Sequence, residues 1–417
     1  MKYFDINQNL SEDDIALRDA ARQFAESEMR PVAKQLDLMS AEEAIAEDSP
    51  LWPFLKKAYS LGYHKILLPE YYGGLGLSPL QTNLVFEELG WGSFGLSIVL
   101  TVVSFPFYSI CMTNDEELIN KFVIPFCECT DGSIRGCWAI TEPEHGSDIL
   151  AIGEDYFDSD KMKGGVRARL DGDEWVLNGQ KSSWVSCGTI STHAMLHLQV
   201  DPSKGMAGYG ICIVPLDLDG VSKGKPLEKI GQRDLNQGEI FFDDVRIPGE
   251  YMFVDPDFYV PMLDIILAAA NLCMSNWSVG LARAAFDEAF NYSKERIQGG
   301  RPIIEHYTTK QRLFDMFARV ETGRAISRAA MNLNLQISPP HVEYSLVAKT
   351  QCTEMAFKNA HEAIQLLGGN GLTKEYRTEK LFRDARATLI EDGNNETLAR
   401  HGGHILMEEY PRAPIDF

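Results

Sequence analysis

The sequence predicts a mainly α-helical protein with a central β domain, on three observations. Helical spacing of apolar residues dominates the first third, short runs of β-forming residues follow, and long helical patterns then return to the end. At 417 residues and 45% hydrophobic composition, the chain can bury a large core. We expect an N-terminal helical domain (1–135), an antiparallel, β-barrel-like domain (136–250) and a C-terminal four-helix bundle (251–417).

An amphipathic helix is predicted first, from Ser11 to Leu36, with Ser11 as the N-cap ahead of acidic residues. Further helical patterns are separated by turn-forming residues such as those of Gly73–Gly76. These patterns cover about residues 51–62, 79–90 and 115–126.

The β domain is predicted from short apolar runs rich in β-formers, namely Trp175–Leu177, Gly210–Val214 and Glu239–Phe242. The dipeptides Asp171-Gly172 and Asn178-Gly179 are read as turns between strands. Strands joined by such short turns run antiparallel, which is the direction we expect throughout this domain.

Four helices are predicted after Pro248, with Pro339-Pro340 as a bend between two of them. Several are long enough to pack side by side as a bundle. They cover about residues 258–296, 307–335, 341–367 and 377–390.

The charge balance excludes several classes of partner. Lysine and arginine total 39 against 60 acidic residues, a net charge of −21 that repels nucleic acid and anionic membranes. The most apolar stretch, Leu263–Met274, contains Asp264 and Asn271, so no membrane span is expected. Met1–Asp5 lacks an apolar signal core and acidic residues follow at Glu12, which favours a cytoplasmic protein.

Several common cofactor motifs are missing from the sequence. The eight cysteines form no paired C-x-x-C clusters, so reduced structural thiols are expected and no metal. There is no P-loop and no G-x-S-x-G elbow, and Gly73–Gly76 lacks the spacing of a dinucleotide fingerprint. Gly368–Gly371 follows a helix and, taken alone, is most simply a helix stop.

One segment carries a specific signature. Thr141–Asp148, with the sequence TEPEHGSD, follows Cys137–Ile140 and resembles the T-E-P-x-x-G-S-D motif of the acyl-CoA dehydrogenase family. The resemblance covers about residues 10–405, and its other segments occur in the family's order. They are Leu68–Gly74, Asn178–Lys181, Phe242–Pro248, Arg296–Met316, Gln365–Gly371 and Arg383–Arg386.

This resemblance implies a fold and a chemistry. The family has a helical domain, a β domain and a four-helix bundle, binds FAD, and oxidises acyl-CoA thioesters. A carboxylate removes the α proton while the flavin accepts hydride from the β carbon. Hydrogen bonds from a flavin ribityl hydroxyl and from the base residue's N–H stabilise the thioester oxygen. An electron-transfer flavoprotein is the implied electron acceptor, and the implied assembly is a homotetramer or dimer.

The resemblance also implies individual site residues. Ser147, Asp392 and Gly393 correspond to substrate-binding positions. Positions that bind FAD in relatives correspond to Trp138, Ile140, Thr141, Gly146, Ser147, Trp184, Ser186, Arg296, Gln365, Gly368, Gly369, Asn394 and Glu396.

Two of these correspondences carry alternatives, and one residue of the family pattern is absent. One extra residue lies between Lys181 and Trp184, and Trp184 is otherwise a core tryptophan. Arg296, like Gln365, Gly368 and Gly369, resembles a residue that reaches the FAD of a neighbouring subunit, and is otherwise a solvated charge at a helix end. The family's aromatic residue is replaced here by Gly299, so a stacking contact between subunits is missing.

Counting from Arg383-Asp384-Ala385 places the family's catalytic glutamate at Asp392, with Glu391 in the preceding tyrosine position. Glu391 is the base only if the alignment slips by one residue, against the match of Gly393. Some relatives carry the base on an earlier helix, where this chain has Ala270, and the arginine that follows in relatives is Asn271.

An aspartate is one methylene shorter than a glutamate, which leaves room above the α carbon for an α-branched or cyclic acyl group. Cyclohexanecarboxyl-CoA is the example we expect. Three other functions remain open at this point: a straight-chain acyl-CoA dehydrogenase, a nitroalkane-oxidase-like enzyme with the same aspartate base, and a non-catalytic or carrier-protein-bound homologue.

Overall fold

The computed structural model describes Ile6 and residues 10–409. The segment Met1–Asp5, used above for localisation, lies outside the described residues. Eight α-helices cover the first third, with π-helical turns at Ala25–Met29 and Ile119–Val123. The helices are α1 Glu12–Phe24, α2 Arg30–Leu38, α3 Leu51–Ser60, α4 Pro79–Gly92, α5 Phe94–Val102, α6 Phe105–Thr113, α7 Glu116–Leu118 and α8 Ile124–Glu128.

Helix α1 begins as its sequence predicts. The Ser11 hydroxyl accepts from Asp14 N at 3.1 Å, and the Asp14 carboxylate accepts from Ser11 N at 3.0 Å. Helices α5 and α6 are additions to the prediction. Every residue of α5 is buried, so it has no polar face and shows none of the periodicity from which a helix is predicted.

The central region forms one eight-stranded sheet with the order β6-β7-β3-β2-β4-β5-β8, and β1 pairs with β4 off this path. The strands are β1 Gly136–Ala139, β2 Arg167–Asp171, β3 Glu174–Lys181, β4 His193–Gln199, β5 Tyr209–Pro215, β6 Val221–Pro226, β7 Gly238–Pro248 and β8 Met252–Val254.

The prediction of an antiparallel, barrel-like domain is wrong in two respects. The sheet is open, and both β1 and β2 pair with β4 in parallel. A parallel pair needs a long crossover, and more than 50 residues separate β1 from β4 in the sequence. Apolar patterning predicts which face a strand buries and carries no information about the direction of its neighbours.

Of the two predicted turns, one is confirmed. Asp171 pairs with Glu174 across a tight turn containing Gly172. Asn178-Gly179 instead lies inside β3, where the register shifts at Gly179, whose φ of 133° suits a glycine. A turn dipeptide can therefore mark an irregular position within a strand.

Five helices follow the sheet, and a two-stranded hairpin (β9 Ile297–Gln298, β10 Arg301–Pro302) lies between the first two. The helices are α9 Tyr259–Glu295, α10 Tyr307–Asn334, α11 Val342–Leu367, α12 Thr378–Thr388 and α13 Asn395–Glu409. Four match predicted helices, and α13 is an addition. Helix α9 packs against α4, α10 and α11 and forms the centre of the helical core.

Helix α9 is long and apolar enough to span a membrane, with a mean hydropathy of 1.5 over its most apolar window, and the bent pair α5 and α6 also passes by length and composition. Within the protein, 94% of that α9 window is buried. Packing in the helical core therefore accounts for its apolar composition.

Candidate active site

The loop between α12 and α13 carries the predicted base in an unusual backbone conformation. Asp392 has φ of 52° and Gly393 has φ of 88°, and Asn395 N closes the loop by donating to Leu389 O at 3.1 Å. A Cβ on Gly393 would lie 2.6 Å from Leu398 Cδ2, so only glycine fits there without displacement. We call residues 391–395 the base loop.

The two acids of the base loop have different electrostatic surroundings. Burial raises the pKa of Asp392 to about 6, although the ammonium group of Lys349 acts in the opposite direction. Burial and the charge of Asp392 together raise the pKa of Glu391 to about 8. The Glu391 carboxyl accepts a hydrogen bond from Gln232 Nε2. Near neutral pH, Asp392 is therefore ionised while Glu391 holds its proton.

The structure brings the signature segment to the base loop. Ser147 Oγ accepts from Asn394 N at 3.0 Å, across 247 residues of sequence. Within the segment, His145 Nδ1 lies 2.7 Å from Asp148 Oδ2, and Gly146 N donates to Asp148 Oδ1 at 2.6 Å. These bonds hold the turn from which Ser147 contacts the base loop. The contact is at Asn394, two residues after Asp392.

A buried ion pair fixes the start of the same segment, and the sequence analysis missed it. Lys181 Nζ lies 2.7 Å from Glu142 Oε1, and both side chains are fully buried. Lys181 Nζ also donates to Ile140 O at 2.8 Å, and Ser182 N donates to Thr141 O at 3.0 Å. Both residues lie in motifs quoted for the resemblance, but their pairing across 39 positions has no local signal.

The two predicted tryptophans differ in their surroundings. Trp138 is buried, and its Nε1–H donates to His197 Nε2 at 2.9 Å. Trp184 is 58% exposed, so the alternative of a core tryptophan is wrong. Gln237 Nε2 donates to both Trp184 O (3.2 Å) and Ser186 Oγ (3.1 Å) and so fixes this segment beside the sheet.

Four predicted residues are exposed: Arg296 directly after α9, and Gln365, Gly368 and Gly369 at the C-terminal end of α11. Asn370 donates through Nδ2 to the Tyr292 hydroxyl at 3.0 Å, so the two exposed segments adjoin. Along α11, Gly368 lies about 28 Å from Lys349, which contacts the base loop. The four residues therefore lie far from the base loop of their own chain.

The remaining predicted residues lie at the start of α13. Asn394 Oδ1 accepts from Thr397 N at 2.8 Å and so caps the helix. Glu396 is exposed in the first turn. All eight cysteines are unpaired and buried. Over the residues that the structure describes, no three His, Cys, Asp or Glu side chains are grouped as a metal site requires.

Three sequence models of the acyl-CoA dehydrogenase family match consecutive parts of the chain. The N-terminal domain matches residues 11–129, the middle domain residues 137–245 and the C-terminal domain residues 266–407. Together they cover most of the chain, in the family's order.

Individual relatives match over nearly their whole length. The mitochondrial short-chain specific acyl-CoA dehydrogenase of Rattus norvegicus is 30% identical, over 94% of this chain and 89% of the relative. The cyclohex-1-ene-1-carbonyl-CoA dehydrogenase of Geobacter metallireducens is 29% identical, over 96% and 99%. The solved structure of butyryl-CoA dehydrogenase from Megasphaera elsdenii superposes with a TM-score of 0.84 at 25% identity, over 98% and 100%.

Proposed function

The chain belongs to the acyl-CoA dehydrogenase family of FAD-dependent oxidoreductases, and from that premise we propose that it forms an α,β double bond in an acyl-CoA thioester with Asp392 as the base. One observation carries the proposal. The signature residue Ser147 is hydrogen-bonded to the base loop, beside a carboxyl group whose pKa of about 6 suits proton abstraction near neutral pH.

The residues present fit FAD. Trp184 offers an exposed aromatic face of the kind that packs against a flat ring system. A Cβ built on Gly146 would meet no atom within 4 Å, so a ligand can approach the backbone on that side of the Ser147–Leu150 turn. Open space also surrounds Gly368 and Gly369 at the other end of α11.

We assign the cofactor contacts accordingly. Ile140, Thr141, Gly146, Ser147 and Trp184 would hold FAD within one subunit. A second subunit would supply the contacts that are exposed and distant here, through Arg296, Gln365, Gly368 and Gly369. Such sharing requires a homodimer or homotetramer.

The chain's own groups handle the proton and the thioester. The Asp392 carboxylate takes the α proton as the Cα–H bond breaks, and the electron pair of that bond becomes part of the new double bond. The backbone N–H of Asp392 donates to the thioester oxygen as negative charge develops there. When bound, FAD supplies the acceptor for the hydride that leaves the β carbon.

A cyclic or α-branched acyl group is the proposed substrate, with cyclohexane-1-carboxyl-CoA as the example. An aspartate carboxyl lies about 1.5 Å further back than that of a glutamate, which leaves space for a ring or a branch at the α carbon. The cyclohex-1-ene-1-carbonyl-CoA dehydrogenase supports a ring, and the short-chain relative supports a small acyl group, at nearly equal identity. An electron-transfer flavoprotein is the proposed electron acceptor.

Anaerobic bleaching of the flavin absorption band tests the substrate class. Cyclohexanecarboxyl-CoA, butyryl-CoA, a long-chain acyl-CoA and nitroethane are compared at equal concentration. Selective bleaching by the cyclic thioester supports the proposal in full. Bleaching by butyryl-CoA alone refutes the proposal of a cyclic substrate but is consistent with acyl-CoA dehydrogenation. Bleaching by nitroethane alone refutes the proposal that the substrate is an acyl-CoA thioester.

The variants D392N and E391Q test the base. D392N should retain FAD and lose bleaching, whereas E391Q should retain both, because Glu391 already holds its proton at neutral pH. The reverse result, with bleaching lost only in E391Q, would move the base to Glu391.

A further inference from the structure

We propose that Lys349 of α11 is a positioning residue for the base loop, holding its backbone with a buried ammonium group and setting a positive charge opposite Asp392. The inference rests on the proposed function, because it concerns how Asp392 is held and charged. Lys349 itself lies outside every motif used above.

The contacts of Lys349 are specific to the base loop. Its side chain is fully buried, and Nζ donates to Gly393 O at 2.8 Å and to Asn395 Oδ1 at 2.9 Å. Thr353, one turn further along α11, exchanges hydrogen bonds with the Asn395 side chain. Lys349 and Thr353 lie on the same face of α11 and therefore hold the part of the loop that follows Asp392 in the sequence.

This anchorage matters because the loop backbone is strained. A left-handed aspartate next to a left-handed glycine is held only if its surroundings fix it. The bond to Gly393 O restrains the peptide between Gly393 and Asn394, one residue beyond Asp392. The Asp392 N–H and carboxyl are the two groups that the reaction uses, and both turn with this segment.

The charges around the two acids are asymmetric. Asp392 faces Lys349 from α11, Glu391 within the loop and the Cys273 thiol from α9. Glu391 faces Lys349, Lys229 and the Gln232 amide. Lys349 itself donates to a carbonyl and an amide oxygen, so its counter-charges are the two loop carboxyls.

Burial lowers the pKa of Lys349 to about 8, with the loop acids opposing the shift. The residue is therefore mostly protonated near neutral pH and stabilises the ionised form of Asp392. When Asp392 accepts the α proton, Lys349 loses a counter-charge. Its charge thus favours the reactive state of the base before the proton is transferred.

Two variants separate the anchor from the charge. K349Q keeps hydrogen-bond donors and removes the charge, and K349M removes both. The matched control is K229M: Lys229 is a half-buried lysine facing Glu391, and it donates to Leu235 O (2.7 Å) and Gln237 Oε1 (2.8 Å) outside the base loop.

The measurement is the pH dependence of anaerobic flavin reduction, with FAD content and thermal midpoint recorded for each variant. We expect the acid limb of K349Q to move up by about 1 pH unit or more, while K229M keeps the wild-type limb. K349M should show the same shift and also lower the limiting rate by about 10- to 100-fold relative to K349Q.

An unmoved acid limb in K349Q, or an equal shift in K229M, would overturn the role of the charge. Equal limiting rates in K349M and K349Q would overturn the anchor. D392N identifies a different failure: if its flavin is still reduced, Asp392 is not the base and the proposed function fails before Lys349 is tested.

Discussion

Replacing Lys181 by methionine should destabilise the protein strongly, because it leaves the Glu142 carboxylate buried without its counter-charge. Both side chains are fully buried, so water cannot compensate. The remaining partners of Glu142 are neutral donors, including Gly165 N and Val166 N. Breaking a buried ion pair on one side costs about 3–5 kcal/mol.

For a cooperative unit of 150–250 residues, this loss corresponds to a fall of about 6–20 °C in the thermal midpoint. The assay follows circular dichroism and flavin release on heating, for wild type, K181M and the double variant E142Q/K181M. The double variant should recover much of the loss, because it buries an amide in place of a charge.

Two results would refute this reasoning. A K181M midpoint within about 2 °C of wild type would mean that the buried charge finds another partner. Equal midpoints for K181M and E142Q/K181M would mean that lost packing, and not the unpaired Glu142 carboxylate, causes the destabilisation.

Three further predictions concern the base loop and Trp184, which is proposed to contact FAD. Glu391 has a pKa of about 8 in the folded protein against an ordinary value of 4.5, so between these pH values the folded chain holds a proton that the unfolded chain has lost. The free energy of unfolding should therefore fall as pH rises from about 4.5 to 8, and chemical denaturation of E391Q should lack this part of the fall. G393A should lower both the thermal midpoint and the rate of flavin reduction, because its Cβ would clash with Leu398 and because a φ of 88° is strained for alanine. An unchanged reduction rate would contradict the requirement for a rigid loop. W184A should lower FAD retention without changing the midpoint of the FAD-free protein, whereas W277A, in the core, should lose about 3–5 kcal/mol of stability; equal losses would contradict an exposed cofactor face.

Local signals in the sequence were sufficient for much of the fold. The capping box at Ser11 is encoded within four residues, and the long helices after the sheet repeat their apolar pattern over many turns. Helix α5 was missed because burial on all sides removes the period. Strand directions around β4 were missed because parallel pairing depends on residues far apart in the chain.

The site divides in the same way. The resemblance singles out the signature segment and Asp392 as site residues, and these assignments stay predictions. Trp184 is exposed, which a contact with a cofactor requires. The pairing of Glu142 with Lys181 and the anchorage by Lys349 were missed. In both cases the partners come from different elements, and a buried lysine has the same letter in the sequence as a solvated one.

The hydrogen bond between Ser147 and Asn394 sets an order of assembly during synthesis. Its partners are 247 residues apart, so at about 5–20 residues per second roughly 12–50 seconds separate their emergence from the ribosome. Ser147 lies between β1 and β2, and the whole sheet is translated long before the base loop. A nascent chain that ends before Asp392 therefore carries most of the segments proposed to contact FAD but lacks the proposed base, which is added only in the last stage of translation.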